Sequence, residues 1–324
     1  MLDYFLQQIA NALSAGSLYA MMAVGLALIF SILRLINFAH GDVMMIATYL
    51  FVFATAAGIP VLPALALMVG GTILIGLVME RVAYRPLRGG PEVALLLSSF
   101  AVGQILQNSA LLVSRLAGMP VQISFKTPDL LSGSMALGPL TVPRLNVASF
   151  VIGSVLLVLL TLFVTRTRLG LSMQAVAEDL TAARLMGIRV DRVVLVAFAI
   201  ASGLAAVAGY LYASQAGQVN PFLGFTPVLK AFIATVIGGF GSLTGAVLGA
   251  YVLAFLEVIP TTFGGIANIL PPGTVSPEVH DLLNQILPGS LGSWRDAFVF
   301  VFLILMLLVR PNGLLRGGAR EDTP

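Results

Sequence analysis

The residues best suited to chemistry stand together: Asn37, His40 and Asp42, within the run Asn37-Phe38-Ala39-His40-Gly41-Asp42. They offer an amide, an imidazole and a carboxylate, groups that bind a polar solute or relay a proton. The run lies between two long apolar stretches, and ionisable residues at bilayer depth are costly without a task or a partner there. Gly41 loosens the backbone at the same point. A broken, polar element in an apolar chain is the pattern of a translocation pathway; helix capping is the structural alternative. A second polar set, Ser98, Ser99, Gln104, Gln107 and Asn108, falls in the fourth apolar stretch, and Gln215, Gln218 and Asn220 follow the sixth. Singly, each is explained by an interhelical hydrogen bond worth about 0.6 kcal/mol. As a set they can line a path for a small polar solute, with Gln104 and Asn108 as its candidate residues.

Other chemistries are thin. Cysteine is absent, which removes disulfides, thiolate metal sites and cysteine nucleophiles. The two His are far apart, so neither a histidine-rich metal site nor a cofactor is expected. The two Lys, Lys126 and Lys230, follow no Gly-x-x-x-x-Gly pattern; without a P-loop the chain cannot hydrolyse ATP by that route. Driven transport would then draw on another subunit or an ion gradient. For a gradient the candidate acids are Asp42 and Glu257, with His40, a sparse relay. The net charge of +3 comes without a basic run interleaved with aromatics, so nucleic acid is not an expected partner.

The elements that must position these residues follow from hydropathy. Of 324 residues, 58% are apolar and 10% charged, where a soluble domain carries about 25% charged residues. Several stretches reach the roughly 20 residues that cross a bilayer, predicting an all-α polytopic transmembrane bundle of about eight spans in contact with lipid. Spans are expected at about 5–33, from the hexapeptide to 57, and at 62–79, 93–116, 147–164, 193–213 and 297–309. The last is short unless Trp294 lies at its interface. The first basic residue is Arg34, so the N-terminal stretch lacks a positive n-region and reads as a span rather than a cleaved signal. Polar connections are expected at 118–146 and, with five Pro, at 260–296.

Stretch 230–259 reads as two short apolar pieces split by Gly238-Gly239-Phe240-Gly241-Ser242. Thirty residues are too few for two full crossings at 1.5 Å per residue, so a broken or re-entrant pair is predicted there. Gly238, Gly239 and Gly241 are its hinge and further candidates for the pathway. Gly203, Gly209, Gly245 and Gly249 read as sites of close helix packing. Twelve of the 17 basic residues fall at Arg34, at 81–88, at 166–192 and in the tail 310–324, leaving Arg115, Lys126, Arg144, Lys230 and Arg295 for the other side or the membrane edge. The positive-inside rule then puts the first set, with the C-terminus, in the cytoplasm and the N-terminus outside.

The largest charged loop, 165–192, is predicted to hold a short amphipathic helix. Ser172 is a plausible N-cap; Met173, Val176, Ala177, Leu180, Ala183 and Gly187 recur at three- and four-residue spacing. Glu178 and Asp179 flank that stripe, and Gly187 can end the helix. A weak apolar face beside acids suits a protein groove better than an anionic leaflet, and docking of a cytoplasmic partner stands beside surface binding as the two readings.

At this point the chain resembles the permeases of branched-chain amino-acid ABC transporters, of LivH type. Ile36-Asn-Phe-Ala-His-Gly-Asp42 looks like their signature after the first span. Thr167-Arg-Leu-Gly170, Ala177-Glu-Asp-Leu180 and Ala183-Arg-Leu-Met-Gly-Ile188 are similar to their coupling loop. Lys230-Ala-Phe232 with Val236-Ile-Gly-Gly-Phe-Gly-Ser242 resembles their glycine-rich broken segment, and Arg310-Pro-Asn-Gly-Leu314 their tail. The resemblance implies a single permease domain over 1–324 in a bacterial inner membrane. It also implies a second, related permease subunit, two cytoplasmic ATP-binding subunits and an extracytoplasmic solute-binding protein. Ala177, Glu178, Asp179, Ala183 and Gly187 would then sit in the ATPase groove, and the broken segments would line the path. Closely similar permeases carry urea or short amides. The lack of a clear basic partner for a carboxylate in any span fits that cargo, although helix N-termini also bind carboxylates. A self-sufficient carrier or channel is the alternative of a different class.

Overall fold

The structure, a computed structural model, describes residues 2–129, 131–137, 140–264, 276–287 and 289–315. In chain order its helices are α1 (Leu2–Leu33), α2 (Ala39–Ala56), α3 (Val61–Met79), α4 (Glu92–Leu116), α5 (Arg144–Arg166), α6 (Arg168–Glu178), α7 (Leu180–Leu185), α8 (Val190–Ala216), α9 (Phe225–Gly238), α10 (Leu243–Phe263), α11 (Pro277–Ile286) and α12 (Arg295–Val309). Among the described residues eight helices are long and apolar enough to cross a bilayer, and α9 is shorter. The polar connection after α4 holds strand β1 (Ile123–Ser124) and the hairpin of β2 (Ser134–Leu137) with β3 (Leu140–Pro143). After α8, β4 (Gln218–Val219) pairs antiparallel with β1.

Helix α1 is the central pillar, packed on α5, α8, α9 and α10. Its small residues allow that approach: Ala12, Ala20, Ala23 and Ala27 are fully buried, and the Tyr251 ring of α10 fills the space beside Gly16. Helices α2 and α8 are also largely buried, whereas α3, α4, α5 and α12 present side chains such as Leu74, Leu112, Val158 and Leu305 outward. Outward leucines and valines are what lipid contact requires, since lipid tails are as apolar as leucine.

Two elements are broken inside the bundle. Helix α1 ends at Arg34, whose φ of 54° is left-handed, and residues 34–37 carry no regular structure. The chain turns back along α1, so that His40 lies against Gly25. Eight residues separate Gly25 from Leu33, so α2 starts about 12 Å inside the end of α1. The mirror arrangement follows α8. That helix ends at the left-handed Gly217, and the chain returns through β4 and a turn before α9 begins. Gly209 of α8 packs on Met44, and Gly224, at the start of α9, packs on Gly41 one turn of α2 deeper. Helix α9 therefore also starts inside, reached from the opposite side to α2.

The end of the bundle away from the N-terminus gathers the arginine-rich segments. Helix α3 runs on through a π turn (Glu80–Tyr84) and a 3-10 turn (Arg85–Leu87). Arg85 and Arg88 both pair with Asp191 at the start of α8, at 2.5 and 2.9 Å, and Arg88 also pairs with the buried Glu80. The chain after α12 arrives at the same end: the Leu314 and Leu315 amides donate to the carbonyls of Ile237 and Gly238.

Three expectations need correction. Pro260 does not open a polar loop but lies inside α10; near that helix end the Thr261 and Thr262 hydroxyls both donate to the Val258 carbonyl. Lys230 is not at a membrane edge but inside α9, its side chain 11% exposed. The loop 165–192 holds two helices rather than one, and Ser172 is not their cap: its hydroxyl donates to Arg168 O within α6. Of the stretch 260–296, residues 265–275 and 288 lie outside the described residues, as do Arg316 and Arg320 of the tail.

Candidate translocation site

The first break is held by its own polar residues. The Tyr84 hydroxyl donates to Asn37 Oδ1 at 2.7 Å, tying the turn between α1 and α2 to the π turn after α3. The His40 ring fills the space beside Gly25 of α1. Asn37 and His40 are 0% and 1% exposed, so both side chains face the chain's own interior. Asp42 accepts from Gln107 Nε2 of α4 at 2.8 Å, in the first turn of α2, where a carboxylate complements the helix dipole. This set shapes the break and fixes α4 to it.

Gly41 and Gly224 are where the two breaks meet. A Cβ on either would overlap the other's carbonyl oxygen, so only glycine allows this contact. Beside it α4 presents an open polar face. Gln104 stands twelve residues from each end of α4, about 18 Å from either, and is exposed, as is Asn108 one turn on. The Asn108 side-chain amide donates to Gln104 O at 2.7 Å and Gln104 Nε2 reaches Gln107 Oε1 at 3.5 Å. Exposed amides at the centre of a span do not belong against lipid.

Behind α9 lies a charge cluster. Lys230 Nζ is 2.7 Å from Glu257 Oε1 of α10 and donates to the Tyr19 hydroxyl of α1 at 3.0 Å. Tyr19 donates in turn to Glu257 Oε2 at 2.8 Å. The ring joins the three helices α1, α9 and α10. The acids considered for a proton relay, Asp42 and Glu257, thus have separate partners on different helices.

At the arginine-rich end, α9 stops at Gly238 and the chain turns through Gly239 (φ 104°) and Gly241 (φ 83°). A Cβ on Gly239 would strike the Leu315 carbonyl, so the tail closes over this turn. Gly241 shares a cavity of about 320 Å3 with Ser31, Gln174, Ala177, Glu178 and Thr244, so α6 abuts the glycine turn. Thr167 caps α6 by accepting from Gly170 N. Asp179 breaks the stripe and caps α7, accepting from Thr181 N and Ala182 N at 2.7 and 2.9 Å. Gly187 (φ 80°) ends α7 as expected. Met173, Val176 and Ala183 face inward, while Glu178 and Asp179 are exposed. At the tip Leu185 and Met186 are 86% and 82% exposed, a pair not singled out from the sequence although two apolar residues before a helix-ending glycine were visible there. Tyr84, Tyr19 and the Lys230–Glu257 pairing were also missed, since their partners lie far apart in sequence.

Among the described residues, eight helices able to cross a bilayer, with two inward-starting helices that meet through glycine and are entered from opposite sides, mark an integral membrane permease. The family described as "Branched-chain amino acid transport system / permease component" matches residues 8–309, and the chain belongs to that family. The BraD permease of the high-affinity branched-chain amino acid transport system of Pseudomonas aeruginosa is 34% identical over 96% of both chains. The LivH permease of the corresponding Escherichia coli K12 system is also 34% identical over 96% of both. The xylose permease XylH of Escherichia coli K12 matches 29% of this chain and 25% of its own, at 41% identity.

Proposed function

We propose that this chain is one of two related permease subunits of an ATP-driven importer for branched-chain amino acids, set in the inner membrane with its arginine-rich end in the cytoplasm. The carrying observation is the junction of the two broken elements at Gly41 and Gly224, beside the open amides of Gln104 and Asn108. That face needs a second protein surface opposite it, and a related permease supplies one. The solute passes between the two. Gln104 and Asn108 face it, Gly238, Gly239 and Gly241 end the path on the cytoplasmic side, and Asn37, His40, Gly41 and Asp42 shape the break from behind. The cargo is inferred from the branched-chain amino acid transport systems to which BraD and LivH belong. Two ATP-binding subunits dock on α6 and α7 through Glu178, Asp179, Gly187 and the exposed Leu185–Met186 tip, with Ala177 and Ala183 supporting that surface from beneath. An extracytoplasmic binding protein delivers the solute.

Reconstitution tests this reading. Leucine uptake into proteoliposomes is expected only when this chain is joined by the second permease, the ATPases, the binding protein and ATP. Flux through the purified chain alone would establish a self-sufficient carrier instead.

A further inference from the structure

Five phenylalanines form one continuous ladder that starts one turn from Gln104 on α4. Phe100 of α4 stacks on Phe38 of the first break, ring centroids 5.0 Å apart and planes 16° apart. Phe38 meets Phe232 of α9 at 5.8 Å. Phe232 meets Phe240 of the glycine turn at 5.7 Å, and Phe240 meets Phe30 of α1 at 4.7 Å. The ladder thus runs from the middle of α4, one turn from Gln104, to the arginine-rich end beside α6. None of its rings is buried: Phe100 is 50% exposed, and the other four are partly open. A second aromatic cluster behaves differently, since Phe51, Phe125 and Tyr210 touch one another and are 3%, 5% and 6% exposed. The ladder's rungs come from five separate segments, so no single helix's periodicity produces it. Its upper end adjoins the exposed amides, which fit a lipid boundary poorly.

Resting on the pathway reading above, we propose that this ladder is the apolar wall along which the solute's aliphatic side chain passes, making this subunit selective for branched aliphatic amino acids over small solutes. The division of labour is chemical. The side-chain amides of Gln104 and Asn108 donate to a carboxylate and accept from an ammonium group, while the rings offer polarisable apolar surface of a size to match isobutyl and isopropyl groups. A solute with no such side chain gains nothing from the wall.

The test uses the complete transporter in proteoliposomes, comparing ATP-driven uptake of leucine and of alanine at equal occupancy of the binding protein. Phe38→Ala and Phe232→Ala are expected to lower the leucine-to-alanine uptake ratio by about tenfold, the scale of discrimination by an apolar pocket. Phe38→Leu and Phe232→Leu should restore most of it. Equal loss for both solutes, or an unchanged ratio in variants that still co-purify with the ATPases, overturns the proposal. A second measurement separates that failure from failure of the pathway itself. The natural chain has no cysteine, so F100C carries the one thiol of this subunit. Its modification by a water-soluble thiol reagent, with an unchanged uptake ratio, leaves the pathway standing and removes the ladder. No modification in any nucleotide state removes both.

Discussion

Lys230 and Glu257 show what a single buried charge does in this fold. Each is mostly withdrawn from solvent, and Tyr19 completes the ring. Removing one partner of a buried ion pair leaves the other uncompensated and costs about 3–5 kcal/mol, whereas replacing both with apolar groups of similar volume is often neutral. Lys230→Met alone is therefore expected to lower the unfolding midpoint of the purified permease in detergent sharply. Lys230→Met with Glu257→Met should recover most of the loss and retain uptake. If the double variant refolds but does not transport, the pair carries chemistry rather than holding α9 in place. At Gly224 the constraint is steric: Gly224→Ala pushes a methyl group onto the Gly41 carbonyl. It is expected to cost about 1–3 kcal/mol, read as a drop in the same midpoint. The polar run 37–42 was legible in the sequence as a break at bilayer depth. Its direction was not, because what turns Asn37 inward is Tyr84, forty-seven residues away, and local spacing carries no trace of that contact.

At the scale of elements, hydropathy located the long helices because their apolar runs are continuous, and it located the break after α9 because Gly238, Gly239 and Gly241 crowd one turn. The division of the loop 165–192 into two helices escaped it. The apolar stripe runs unbroken through Val176, Leu180 and Ala183, yet the Asp179 carboxylate captures two backbone amides and starts a new helix, local competition that periodicity does not register. Asp179→Ala is expected to cost about 1 kcal/mol of local stability, read as faster amide exchange over 180–185. Leu185→Ser with Met186→Ser leaves that cap intact and removes the exposed apolar tip. Its expected outcome is loss of ATPase co-purification without loss of the folded permease, and undiminished co-purification would relocate the docking surface.

The whole molecule is a bundle with one face unfinished. Most outward surfaces are leucine, valine and phenylalanine, but the middle of α4 is amide. Gln104→Leu with Asn108→Leu should leave the fold and the subunit assembly intact, because neither side chain is buried, while lowering uptake by about tenfold, the equivalent of one hydrogen bond to a charged group. Unchanged uptake would mean that the solute passes elsewhere. The sequence marked these two residues as polar and in a span; that they point out of the chain while Asn37 and His40 point in depends on how α2 folds back along α1, a tertiary fact.

Helix α9 also spans the distance between two places that the proposed function requires to act together. Its fourteen residues make a rod about 21 Å long, with Gly224 pressed on Gly41 at one tip and the tail-strapped glycine turn beside α6 at the other. A stiff rod passes a push along its axis without loss, so a shove on the inner surface would arrive undiminished at the glycine joint. Power stroke and gate would then be two ends of one lever, with no relay of side chains between them.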